Sequence, residues 1–167
     1  MTGSYSFRPV EEPDIPRILE IYNGNQPFLV SHLGCASVDP AFLVQELQEM
    51  KRLAFLSYVI INTDTGDIIG VIDYQPQNTV YLSLLMLDSA LHKSGIGSRV
   101  YHQFERQMAE ENRPLIRIDV VNDYSGNMVG FWEKQGFLPQ KEIRLSWGQK
   151  ESNALVMVKH LNARVSA

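Results

Sequence analysis

The stretch Lys93-Ser94-Gly95-Ile96-Gly97-Ser98 carries the residue types best suited to hold a ligand. Two glycines let the backbone pass close to a bound group, and the first N–H groups of a helix opening there lack intrahelical partners. The helix dipole places about half a positive charge at that end, and Lys93 adds a full one. A phosphate or pyrophosphate matches this chemistry, although a glycine-rich entry into a helix has the same bare pattern. Two nucleotide motifs are excluded. A P-loop requires Gly-Lys-Ser/Thr after four intervening residues, which the chain lacks. A dinucleotide fingerprint requires a third glycine where Val100 stands.

The elements that must position this turn follow from apolar spacing. Thr79–Leu87 reads as a strand, and its tail Leu84-Leu85-Met86-Leu87 lacks alternation, as in a strand covered on both faces. Ile96, Val100, Phe104 and Met108 recur every fourth residue and predict a helix to about Asn112. Leu115–Val121 is again a strand, so the two strands join by a crossover and run parallel. Upstream, Tyr5–Val10 reads as a strand, and Asp14 as the cap of a helix that Asn23-Gly24 ends. Asp39-Pro40 opens a second helix, and Ala54–Ile61 and Asp67–Tyr74 form a hairpin. Downstream, Ser125 is expected to cap a helix closed by Gly136. Phe137–Ser146 and Ala154–His160, linked by Trp147–Asn153, then form an antiparallel pair. The expected fold class is α/β (α+β): a mixed, mostly antiparallel central sheet flanked by helices, with one parallel step.

A length of 167 residues predicts a single domain over 1–167, large enough to bury a core without staples. Hydrophobic residues at 44% and charged residues at 20% exclude a disordered chain. No apolar run is long enough to span a bilayer, and the first eight residues have no signal core, so a cytoplasmic location is expected. Cys35 is alone, which excludes an intramolecular disulfide and a cysteine zinc cage, and the histidines lack metal-ligand spacing; no metal is expected. A net charge of −4 argues against nucleic acid or membrane as partner.

Two motifs stand in order within this frame. His92-Lys93-Ser94-Gly95-Ile96-Gly97 follows a strand and opens a helix, and Phe131-Trp132-Glu133-Lys134-Gln135-Gly136-Phe137 closes another. In both, and in element order from Tyr5 through His160, the chain resembles the GNAT superfamily of acyl-CoA-dependent N-acetyltransferases. That family's signatures read Gln/Arg-x-x-Gly-x-Gly/Ala and Tyr-Glu-Lys-x-Gly-Phe. The resemblance implies a GNAT fold whose parallel strands splay, with acetyl-CoA as acyl donor lying in the gap. It implies that backbone groups along Leu85, Met86 and Leu87 meet the pantetheine. The N–H groups of Lys93, Ser94, Gly95, Ile96, Gly97 and Ser98 would hold the pyrophosphate, with His92 at the Arg/Gln position. Ser125, Phe131, Trp132 and Lys134 would lie along the cofactor side of their helix.

The main departure concerns catalysis. Many family members carry tyrosine, as proton donor to the departing thiolate, where this chain has Trp132. Indole N–H does not supply a proton at neutral pH, so Trp132 packs and Tyr124 is the nearest phenol in sequence. A thiol pKa of about 8.5 also makes thiolate a tolerable leaving group without help. Among carboxylates that could take the acceptor's proton, Asp73 is the leading candidate, ahead of Asp119 and Asp123. Backbone N–H at Leu85 would polarise the acyl carbonyl. Tyr22, Phe28 and His32 lie in the segment that overhangs the acceptor site in this family, and suit an acceptor with apolar character. The resemblance therefore implies acetyl transfer from acetyl-CoA to a primary amine of a small molecule, peptide or protein, by direct attack in a ternary complex. A homodimer is compatible with it. The alternative is a non-catalytic GNAT-like module that binds acyl-CoA as sensor or scaffold.

Overall fold

The computed structural model describes residues 3–161, so both ends of the expected 1–167 domain lie outside the described residues. Seven strands form one sheet: β1 (Tyr5–Pro9), β2 (Leu56–Asn62), β3 (Ile68–Gln75), β4 (Thr79–Leu87), β5 (Leu115–Val121), β6 (Leu138–Trp147) and β7 (Lys150–His160). Their order is β1-β2-β3-β4-β5-β7-β6, and every pairing is antiparallel except β4 with β5. The helices are α1 (Ile15–Gly24), α2 (Gln26–Leu33), α3 (Pro40–Arg52), α4 (Ile96–Glu110) and α5 (Val129–Lys134). This is the mixed, mostly antiparallel sheet with one parallel step that the apolar spacing predicts.

Strand alternation sorts the core onto two faces. Val59, Val71, Leu84 and Met86 pack under Ile18 and Ile21 of α1, Leu29 of α2 and Leu43 of α3. Ile60, Ile72, Leu82, Ile116 and Ile118 pack under Val100, Tyr101, Phe104 and Met108 of α4. α4 thus covers the sheet with the stripe that its spacing forecasts, and Asp39 caps α3 by accepting from Phe42 N–H at 2.8 Å.

Four local readings change. Residues 26–33, expected as a connector, form α2, where Pro27 sits in the first turn and Gly34 ends the helix at φ 76°. Asp14 makes no side-chain cap to α1; it closes a 3-10 turn by accepting from Glu11 N–H (2.8 Å), and it pairs with Arg8 (2.9 Å). Ser125 is exposed and does not cap α5. The N-cap is Met128, which makes no side-chain cap, and Asn127 Oδ1, one residue earlier, accepts from Val129 N–H at 3.1 Å. The last linker is tighter than expected: β6 and β7 meet at Gly148-Gln149, with Gly148 at φ 62°, so Trp147 lies opposite Lys150.

The parallel pair is short. β4 and β5 are in register only over Thr79–Tyr81 and Leu115–Arg117, and beyond these residues the strands diverge. β4 stays paired to β3 up to Leu87, and β5 to β7 up to Val121. The gap is therefore bounded by one free edge from each strand.

Candidate functional site

A cavity of about 340 Å³ opens at this gap. Leu82 to Leu85 of β4 and Ile118 to Val121 of β5 form its sides, and it reaches both faces of the sheet. Trp132 and Met128 border it on the α5 side; Phe28 and His32 of α2, Glu46 of α3, Asp73 of β3 and Trp147 and Lys150 of the last hairpin border it on the other.

Backbone direction on β4 decides what the gap offers. Asp88 N–H donates to Ile69 O of β3 at 2.8 Å. Alternation then turns Met86 and Leu84 toward β3, and Leu85 and Leu87 toward the gap. The Met86 main chain is thus committed to the sheet. Leu87 C=O accepts from Asn25 Nδ2 at 2.9 Å. Leu85 N–H, Leu85 C=O and Leu87 N–H remain for a ligand. A register shift where Asp73 opposes Leu84 and Tyr74 opposes Leu82 leaves Ser83 as the extra residue, bending β4 beside Asp73.

The free edge leads into the turn before α4. Lys93 (φ 60°) and Gly95 (φ 82°) both adopt left-handed conformations. Gly95 is the N-cap of α4 and has no side-chain cap. Among the described residues, none accepts a hydrogen bond from the N–H of Lys93, Ser94, Gly95, Gly97 or Ser98, while Ile96 N–H lies 3.4 Å from Ser94 Oγ. His92, Lys93, Ser94 and Gly95 are exposed. A Cβ on Gly97 would stand 3.6 Å from the Phe131 ring, so α5 lies directly against the turn. Gln135 Nε2 donates to Ser98 Oγ at 3.0 Å and ties the two helices together. Lys134 is exposed in the last turn of α5. Contiguous free N–H groups beside a free strand edge fit a pyrophosphate joined to a chain with amides.

Trp132 stands edge-on to Tyr101 (5.3 Å, 90°) and to Phe137 (5.3 Å, 76°), a packed position that still borders the cavity. Tyr124 borders the cavity from the turn after β5, edge-on to His32 at 5.7 Å. Burial raises its phenol above the ordinary value, so it keeps its proton at neutral pH.

The carboxylates differ sharply. Asp73 is 8% exposed, and burial raises it from 3.8 to about 6, with the Glu46 charge adding to the rise. Ser57 sits directly across on β2 and opposes the rise, yet its Oγ has no hydrogen-bond partner. Asp119 also faces the cavity but is occupied: Arg117 binds it through Nε (2.9 Å) and Nη2 (3.1 Å), and Tyr81 OH donates at 3.0 Å. Asp123 accepts from Asn153 N–H at 2.8 Å. Glu46 accepts from Trp147 Nε1 at 3.0 Å and is raised by burial. Of the expected acceptor residues, Phe28 and His32 are on the wall, and Tyr22 is not. It is 4% exposed, beneath the Asp73 and Glu46 carboxylates, whose charge adds to burial in raising its phenol. Glu46, Ser57, Trp147 and Lys150 are the residues that sequence reasoning missed.

Residues 32–150 match the family described as the acetyltransferase (GNAT) domain. Solved structures share the fold at low identity. An acetyltransferase from Thermus thermophilus superposes with TM-score 0.75 and 17% identity, covering 95% of this chain and 97% of that one. The Salmonella typhimurium enzyme that modifies the N-terminal serine of ribosomal protein L7/L12 gives 0.77 and 14%, covering 97% of each. Spermidine N-acetyltransferase from Vibrio cholerae, solved with CoA and spermine, gives 0.70 and 13%, covering 93% and 95%. No curated protein sequence matches significantly.

Proposed function

The chain belongs to the GNAT acetyltransferase domain family, and we propose that it moves an acetyl group from acetyl-CoA to a primary amine by direct attack. The observation that carries this reading is the divergence of β4 from β5, which opens a cavity between Leu85 and Asp73 on the strand whose free edge leads into the turn at 93–98. Bound acetyl-CoA supplies an acetyl group activated as a thioester.

The chain's own residues account for the rest. The turn at 93–98 holds the pyrophosphate through main-chain N–H groups, helped by the α4 dipole and Lys93. Leu85 and Leu87 take the amides as an added strand would, and the free N–H of Leu85 polarises the acyl carbonyl. Asp73, half-ionised near pH 6, accepts the acceptor ammonium's proton at neutral pH, where it is a stronger base than an ordinary aspartate. Tyr124 O–H is the available proton donor for the departing sulfur; Trp132 orders α5 and excludes water. Asp119 is neutralised by Arg117 and serves as a fixed wall.

Thiol release from acetyl-CoA over a panel of primary amines tests the reading. Acceptor-dependent release supports it. Tight acetyl-CoA binding with no release for any amine would replace it by the sensor or scaffold reading.

A further inference from the structure

We infer that the acceptor is a primary amine with one positive charge on a flat apolar body, of the arylalkylamine class. Asp73 and Glu46 would take its ammonium, and the rings of Phe28, His32 and Trp147 its body. This specifies the acceptor of the transfer proposed above and rests on that reading.

Three observations converge on it. The first is the Asp73 carboxylate, more than nine-tenths buried, on the cavity wall and with no cation paired to it among the described residues. Burial of a carboxylate without a counter-charge is unfavourable, and an ammonium offsets it with charge-assisted hydrogen bonds. The second is the wall facing it. Phe28 and His32 stack at 3.9 Å and 19°, and Trp147 stands edge-on to both at 6.0 and 6.4 Å. Burial lowers the His32 pKa, so at neutral pH its ring is uncharged and extends the flat surface. Flat rings meet such a surface with favourable stacked or edge contacts.

The third is the placement of charge, which excludes two other amine classes. Lys150 lies opposite Trp147 on the cavity wall, bonded to Ser152 Oγ at 3.1 Å, with no carboxylate within 4 Å among the described residues. Its charge disfavours protonation of His32 by more than the Asp123 charge favours it. A second ammonium, as on a polyamine, would meet Lys150 at this end. An α-amino acid fails at the other end: its carboxylate sits one carbon from the reacting amine, beside Asp73 and Glu46. Like-charge contacts of this kind are costly.

The test compares phenethylamine, n-butylamine, spermidine and phenylalanine by thiol release, with calorimetry of phenethylamine on the protein without acetyl-CoA. The expected kcat/KM order has phenethylamine at least about tenfold above n-butylamine, since a buried ring adds apolar area. Phenylalanine and spermidine should fall below both. Phe28→Ala should shrink the phenethylamine to n-butylamine ratio about tenfold, and Lys150→Met should raise spermidine relative to n-butylamine. Preference for spermidine or phenylalanine would overturn the acceptor class while leaving acetyl transfer intact. Phenethylamine binding that depends on Phe28, without thiol release, would uphold the acceptor class and remove the transfer reaction. Absence of both phenethylamine binding and preference would overturn the inference.

Discussion

The turn at 93–98 and the free edge of β4 offer a ligand main-chain N–H and C=O groups, whereas α2, α3 and the β6–β7 hairpin offer rings and carboxylates. The first begins at the gap and runs out along β4 into the turn, and the second borders the gap itself. The first region depends on where two strands part and where a helix begins, so most side chains there leave its chemistry unchanged. The second depends on which side chains distant elements bring together; Trp147 and Glu46, hydrogen-bonded across the wall, are 101 residues apart. A backbone cradle suits a donor of fixed structure, and a side-chain wall is the part that sets the acceptor.

The sharpest way to break this division is to remove Asp73, the buried acid on the cavity wall. Asp73→Asn should lower kcat/KM by about 10²–10⁴-fold, the usual worth of a general base, with little change in acetyl-CoA affinity. The wild-type rate should rise with pH through about 6 as Asp73 ionises. Stability should move the opposite way. Because the folded pKa lies above the unfolded one, the folded state binds the proton more tightly, and stability falls as pH rises from about 4 to about 6. Above that range ionised Asp73 costs up to about 3 kcal/mol. Asp73→Asn should therefore melt higher than wild type at pH 7.5 and show a smaller difference at pH 4. A rate unchanged by the substitution would remove Asp73 from the mechanism.

Gly95→Glu attacks the backbone region instead. It places a carboxylate at the anion site and a side chain at φ 82°, where space is open but the conformation is strained. Acetyl-CoA affinity should fall at least about a hundredfold by calorimetry, with the fold retained. Unchanged affinity would move the cofactor elsewhere.

Side chains bordering both regions should give smaller effects. Tyr124→Phe should lower the chemical step about tenfold, less than a full general acid provides because thiolate leaves readily. Trp132→Phe should stay near wild type in single-turnover rate. The reverse order would make the indole, not the phenol, part of the chemistry. The smallest effect separates two neighbours in one turn: Asn127→Ala should cost about 1 kcal/mol of stability as a lost hydrogen bond at the helix entry, and Ser125→Ala close to nothing, by chemical denaturation.

The same division explains how far the sequence could be read. The proposed cofactor side is contiguous: an apolar strand, a two-glycine turn and a helix of regular period lie between Thr79 and Glu110, and parallel pairing follows from the crossover they make. The acceptor side is not. In α2, Phe28, Leu29, Val30 and Leu33 leave no polar face whose period would reveal a helix; Pro27 was the local signal. Trp147 and Lys150 enter the wall only because Gly148 takes φ 62° and closes a two-residue turn, and a linker placed over 147–153 hides both. The Arg117 clamp on Asp119 pairs residues two apart on one strand, a geometry visible only once the side chains are placed. No side chain caps α5 as expected of Ser125, because the turn after Tyr124 runs on to Met128, and Asn127 bonds Val129 N–H just before it.

The central claim, that the cofactor completes the sheet where β4 leaves β5, has a direct test in hydrogen exchange. An open strand edge should leave the Leu85 and Leu87 amides exchanging in the free protein. Acetyl-CoA should protect both, together with the N–H groups of 93–98, whereas adenosine 3′,5′-bisphosphate should protect far less of the strand. Equal protection of Leu85 and Leu87 by the two ligands, or full protection without any ligand, would show that the edge is already paired and contradict the account.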